Sequence, residues 1–315
     1  MIDARFEKAQ VLVYDPVSVN RNVTRGLLHT LGFREIVAAS TLDELTRSLR
    51  TGDFDLLFCE LSGNENSACR IMQRIRLGEI APNPFLVIIA TAWRTSAEAV
   101  RETLNGGADD LIVRPFSTQQ IIERLRAHIE NRKGFVVTSE YVGPDRRKPS
   151  RGGDAPLIEV PNSLKMKTVS GEGGYTAQSR AETEISLARQ KIARERLKRL
   201  AFQLGVLASC IEEALLNGAT DDAVATDHAK AQSTLATLTE SAAEQCIEGI
   251  TELSRALETT LRSTLSGDER PKSARLAREL ALAVQVQIDP ARDEESHSSE
   301  LAAALEKIRS RGREY

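Results

Sequence analysis

No run of about 18 apolar residues occurs in the 315-residue chain, so nothing in it reads as a membrane-spanning helix. The N-terminus carries Asp3 and Glu7 and no long apolar stretch, which argues against a secretory signal peptide and makes the cytoplasm the expected compartment. Cysteines number four, at 59, 69, 210 and 246, and form no CxxC pair; free buried thiols in a reducing compartment are expected. Charge of one sign is also lacking. A net charge of -3 gives no basic footprint for nucleic acid, and no nucleic-acid partner is expected. P-loop, GxGxxG and HExxH patterns are absent, and no catalytic residue or enzymatic activity is expected. Aromatics are scarce at 4%, and Trp93, seven of eight Phe and two of four Tyr lie at or before Tyr141, which separates two compositional halves.

The first half alternates strand and helix signals. Short apolar or β-branched runs at 11–14, 35–37, 56–58, 86–89 and 111–113 are separated by helical patterns. LLFC and LVIIA are continuously apolar, as expected of strands buried on both faces. The alternation predicts an α/β fold, a doubly wound parallel five-stranded sheet covered by helices. In such sheets the site lies beyond the carboxyl ends of the strands, and Asp15, Glu60, Thr91 and Arg114 all fall there.

Four segments, VLVYDPVSVNR (11–21), FDLLFCEL (54–61), FLVIIATA (85–92) and GADDLIVRPF (107–116), occur in an order and spacing that closely resembles the receiver domain of bacterial two-component response regulators. The resemblance covers about residues 8 to 132 and implies a flavodoxin-like fold, phosphorelay signalling and protein partners such as a histidine kinase. It also implies roles. Glu60 matches the phosphoacceptor aspartate, Thr91 the hydroxyl residue that contacts the phosphoryl group, Arg114 the lysine before a cis proline, and Leu111 the aromatic switch residue. Asp15 and Pro16 match a pair of metal-binding acids. Only Asp15 and Thr91 follow the family pattern.

The departures bear on chemistry. Mg²⁺ demands near-octahedral oxygen ligands at short distance. Pro16 supplies no oxygen, so Asp15 is left as a weak metal ligand and no cofactor is expected. Glu60 is one methylene too long, and a misplacement of about 1 Å can cost about 100-fold in rate. Arg114 offers a planar fork suited to pairing with Glu60 in place of a compact ammonium. The expected protein is a pseudo-receiver in which Glu60 partly imitates a charged phosphoaspartate. The rivals are a working regulator that is still phosphorylated and a scaffold that only binds partners.

Residues 133–176 are rich in Gly, Pro and Ser and predict an extended linker. Within it Phe135, Val136, Val137 and Tyr141 are apolar enough to dock on the receiver. Arg146, Arg147, Lys148 and Arg151 read as a solvated basic cluster, and the GGDAP string at 152–156 as coincidence. From 177 to 315 the pattern is all-helical. One helix is expected from about 180 to Asn217-Gly218. A second is expected over 221–265, with a leucine-rich seam about 65 Å long and a stutter near Cys246. A third follows Pro271 to about 288, and a last one covers 299–311. The long seam has two readings, a bundle closed within the chain and a self-association or partner-binding module through the C-terminal helices; the second is favoured, as a dimer, with Leu253→Asp or Leu257→Asp disrupting it. His228 lacks the neighbours of a phosphotransfer histidine, and His29, His128 and His297 read as surface residues.

Overall fold

The computed structural model describes residues 5–61, 65–93, 96–147, 156–169, 175–265 and 269–312. The chain divides into two compact units, Met1–Ile192 and Ala193–Tyr315.

The first unit is built on five parallel strands, β1 (Gln10–Tyr14), β2 (Glu35–Ala39), β3 (Leu56–Glu60), β4 (Val87–Ala92) and β5 (Asp110–Val113), in the order β2-β1-β3-β4-β5. The continuous apolar runs become β3 and β4, buried at every position. Alternate side chains supply two cores. Val11, Val13, Phe58 and Ile89 face α1 (Ser18–Thr30) and α5 (Thr118–Glu130). Leu12, Leu57, Cys59 and Ile88 face α2 (Leu42–Thr51) and α3 (Glu65–Arg76), beside which α4 (Ala97–Asn105) packs. The helix starts are chemically specified. Thr41 and Ser96 accept from the backbone N–H of Glu44 and Ala99, and Ser117 forms a capping box with Gln120.

The segment expected to be an extended linker is partly folded. Phe135–Val137 (β6) and Val142–Pro144 (β7) form an antiparallel hairpin, Ile158 bridges to Phe135, and α6 covers Ser163–Val169. Phe135, Val137, Val142 and Ile158 pack with Phe85 and with Ile185, Ala188 and Ile192 of α7 (Tyr175–Leu216). Burial of these apolar side chains outweighs the loop tendency of the glycines and prolines around them. Arg146 is likewise not simply solvated: it donates to the carbonyl of Ala108 at 3.1 Å and lies over the Tyr141 ring. Lys148, Arg151, residues 152–155 and the glycines at 171–174 lie outside the described residues.

Polar contacts fix this extension to the amino ends of the strands. The buried Arg76 guanidinium donates to Gly107 O (2.9 Å), Pro84 O (2.7 Å), Leu86 O (2.8 Å) and Asp109 Oδ2 (2.6 Å). Arg132 reaches both Asp109 oxygens, at 3.1 and 3.2 Å, and donates to Phe85 O. Both guanidinium groups lie over the Phe135 ring, at 5.1 and 5.4 Å from its centroid. Burial alone would raise the Asp109 carboxyl, but Arg132 and Arg76 bring it down to about 2. Lys167 of α6 pairs with buried Asp55 at 3.0 Å, and Ser163 accepts from Asn83 at 2.9 Å.

The second unit is helical. It holds the later part of α7, then α8 (Asp221–Glu244), α9 (Ile250–Ser263), α10 (Arg270–Ile288) and α11 (Glu294–Gly312). Gly218 adopts φ +74 after α7, and Gly218 and Ala219 donate back to Leu215 and Ala214. Thr220 is the N-cap of α8, without a side-chain bond to the helix.

The expected continuous helix over 221–265 is corrected to two. The chain leaves helical geometry at Cys246 (φ 53) and Gly249 (φ 77), and Ile250 opens α9. The four-residue steps near Cys246 mark this turn, not a stutter. The seam therefore never reaches 65 Å. Leu235, Leu238, Leu257 and Leu261 join Leu200, Leu204 and Ile211 of α7 and Ala277, Ala281 and Val284 of α10 in one core. A seam covered within the chain removes the argument for a dimer along it. Leu257→Asp is accordingly expected to destabilise the bundle itself, by about 3 kcal/mol or more. Helical ellipticity on heating gives the measurement; a variant that stays fully folded but changes mass in solution would restore the intermolecular seam.

Two histidines also differ from expectation. His297 is buried and His128 lies half-buried beside Asp110, 3.4 Å from its carboxylate. His228 is buried in the bundle, donating from Nε2 to Leu261 O at 2.8 Å, so its ring is not presented for phosphotransfer. Among the cysteines Cys59 is buried, Cys69 and Cys210 are half-buried, and Cys246 is exposed. Helix 299–311 begins earlier than expected, at Glu294.

Candidate functional site

The order β2-β1-β3-β4-β5 reverses direction between β1 and β3, and the carboxyl ends of those strands open the crevice where such folds place their sites. Asp15 follows β1, Glu60 ends β3, Thr91 lies opposite Glu60 in the β3–β4 register, and Arg114 follows β5. All four are buried.

Arg114 organises them. Its Nε donates to Glu60 Oε2 at 2.7 Å, and its Nη2 donates to Asp15 Oδ2 at 3.0 Å and to Thr24 Oγ1 at 3.2 Å. The guanidinium lies over the Phe116 ring, 4.7 Å from the centroid. Its backbone N–H donates to Ala92 O at 2.8 Å, and the Arg114–Pro115 peptide is cis, as the resemblance implies. Thr91 Oγ1 donates to the same Glu60 oxygen at 2.7 Å. One carboxylate oxygen thus receives two short hydrogen bonds, one charge-assisted.

Asp15 is held on both oxygens. Oδ1 accepts from the Val17 N–H at 2.8 Å while Oδ2 takes Arg114. Burial pushes its carboxyl above the ordinary value; the Val17 hydrogen bond and Arg114 oppose this, and the Glu60 charge adds to it. The Asp15 carbonyl is further tied to α1 by Arg21 at 2.6 Å.

The residues do not fit a Mg²⁺ ion. Pro16 faces solvent and has no donor, and the Arg114 guanidinium spans the space between Asp15 and Glu60 that a cation would bridge. Among the described residues no group of three or more His, Cys, Asp or Glu is placed to hold a metal. Leu111 sits half-buried beside the α2–α3 core. It packs as an aliphatic side chain and has no polar atom to exchange partners.

Sequence reasoning missed Thr24 and Arg21, which tie α1 to the site. Thr24 left one signal: a β-branched residue on the inner face of a helix, where its intrinsic preference is poor. The Arg76–Asp109–Arg132 cluster at the opposite end of the sheet was also unforeseen. Asp109 is the first of two adjacent acids that lead into the apolar run of β5, and its two partners are distant in sequence.

The first unit is similar to known proteins. The model of the response regulator receiver domain matches residues 11–126. Chemotaxis protein CheY-3 of Vibrio cholerae is 30% identical over 119 residues, which cover 37% of this chain and 88% of that protein. Chemotaxis protein CheY of Pseudomonas aeruginosa is 25% identical over 126 residues, covering 40% and 99%. A response regulator of known structure from Thermotoga maritima is 22% identical, with a TM-score of 0.34, over 38% of this chain and 94% of that one.

Proposed function

The chain belongs to the response regulator receiver family through residues 11–126, and from that membership we propose a two-component signalling protein whose receiver acts without phosphoryl transfer, by contact with other proteins. The family is a signalling module. The observation that carries the finer reading is the Arg114 bridge from Glu60 to Asp15, which fills the cation position with a permanent positive charge. Glu60 receives Thr91 at 2.7 Å, the contact its family reserves for a phosphoryl oxygen, and this supports partial imitation of a phosphoaspartate. One carboxylate carries less charge and fewer acceptor oxygens than a phosphoryl group, so the receiver is held in one state instead of switching.

Partners are proteins: a histidine kinase or another signalling protein at the receiver, and helical partners at the second unit. No reaction is assigned to any residue. Among the described residues no helix is long and apolar enough to cross a membrane; a cytoplasmic location is part of this reading.

Acetyl phosphate with Mg²⁺ tests it. Intact mass of the wild type is expected to show no phosphoryl adduct. Trp93, the one tryptophan, stands just beyond β4, two residues after Thr91, and is half exposed; its fluorescence is expected to be unchanged by Mg²⁺. The triple variant Pro16→Asp, Glu60→Asp, Arg114→Lys supplies the missing acids and a compact cation, and is expected to respond to Mg²⁺. A phosphoryl adduct on the wild type sinks the proposal.

A further inference from the structure

We propose that the trough between α7, α10 and α11 is a docking groove for a basic amphipathic helix of a protein partner. It lies wholly in the second unit, so it holds whether or not Glu60 accepts phosphate.

The trough has a volume of about 840 Å³ and is lined by one face of each helix. Its α11 wall runs from Glu294 to Arg309, about 22 Å at 1.5 Å per residue, the length of about four helical turns. Leu282, Leu301 and Leu305 supply apolar surface along it. At one end the lining residue Leu216 is 68% exposed, and on α11 Ile308, next in sequence to the lining residue Arg309, is 49% exposed. Neither side chain is covered by the bundle, although α11 has the apolar spacing Leu301, Leu305, Ile308 of a helix that packs along its whole length. An apolar strip flanked by charge is how a groove reads a helix through anchors three and four residues apart.

Charge selects the occupant. Four glutamates and two arginines line the trough. Both arginines are already paired: Arg278 with Glu212 at 2.8 Å, and Arg309 with Glu213 at 2.8 Å. Among the described residues Glu279 pairs with an exposed arginine one turn away, at 3.3 Å, an interaction worth little in water. Glu294 opens α11 on the same rim. The rim therefore carries an excess of negative charge, and a helix with lysines or arginines beside its leucines complements it. An enclosed small-molecule pocket would be deeper and more apolar than this open trough.

The probe is a fluorescein-labelled synthetic peptide of about 18 residues with leucines at helical three-four spacing and flanking lysines; the control has glutamates in place of lysines. Anisotropy is followed with the full chain. The lysine peptide is expected to bind at least about tenfold more tightly than the glutamate peptide, with the gap narrowing at high salt. Leu216→Ser and Glu294→Lys change exposed side chains and leave the fold intact by circular dichroism. Each is expected to weaken the lysine peptide by about fivefold or more. Equal affinities for the two peptides, or affinity unmoved by both variants, overturns the proposal. So does a concentration-dependent dimer, seen by light scattering and abolished by Leu216→Ser, without peptide binding; the groove would then serve a second copy of the chain.

Discussion

Asp109→Asn is expected to destabilise the receiver unit by about 3–5 kcal/mol at neutral pH, because it strands two buried guanidinium groups without their shared counter-charge. Arg76 is fully buried and Arg132 nearly so, and both lie against Asp109. Urea titration followed by Trp93 fluorescence isolates this effect, since the one tryptophan lies in the first unit. The pH dependence comes from the carboxyl's displacement. It is held near 2 in the fold against an ordinary value of 3.8. A depressed acid contributes stability that is complete above its unfolded value and is lost as pH falls through the folded one. Wild type and variant are thus expected to converge between about pH 4 and pH 2. Glu79→Gln, which removes only the exposed pair with Arg74, is the control and is expected to cost under about 0.5 kcal/mol. A cost below about 1 kcal/mol for Asp109→Asn would show that the hairpin is held by its apolar side chains alone.

Arg114→Ala is expected to be as severe. It leaves Asp15 and Glu60 as two buried acids with their shared cation gone, a loss of about 3–5 kcal/mol at neutral pH. Here too the gap to wild type narrows on acidification, but because the variant gains stability and not because wild type loses it. Two carboxylates sharing a buried site cannot both ionise easily, so one folded-state value rises above its unfolded one. A raised acid favours the fold at low pH and costs stability as pH rises through the raised value. The variant should therefore recover part of its loss on mild acidification, while Asp109→Asn, with no carboxyl left at its position, recovers none. Arg114→Lys keeps the charge but not the fork, and is expected to fall between wild type and Ala. If Arg114→Ala unfolds at the same urea concentration as wild type, the bridge is not what holds the strand ends together.

The strand ends were legible in the sequence for a physical reason. A strand buried on both faces is an unbroken apolar run, and a charge that ends such a run must find a partner. Glu60 ends one, and Arg114 ends the short apolar run Leu111–Val113 of the half-buried strand β5, so their pairing was readable. Thr24 was not, because the angle at which α1 crosses the sheet leaves no mark in the sequence. The hairpin was hidden by its own turns: Gly143, Pro144 and their neighbours dominate the local composition, while Phe135, Val137, Val142 and Ile158 are too few and too scattered to show a period. The turn after α8 was hidden differently. Apolar residues recur at three and four positions on both sides of Cys246, and a periodic pattern does not record where the chain changes direction. Only Gly249, with its positive φ, offered a break.

A receiver that ends at residue 132 can be cut out and joined to another output; this one cannot. Phe135 is the ring under both Arg76 and Arg132, and it stands edge-on to Phe85 at 5.8 Å. Excision at 132 would uncover Phe85, remove the ring from beneath two guanidinium groups, and free the Asp55 carboxylate from Lys167. A grafted or truncated form would have to carry the chain through Ile192 to stay folded. The fusion of this receiver to its C-terminal extension is thus written into the floor of the sheet, and recombination at the usual seam between receiver and effector would yield a protein that does not hold together.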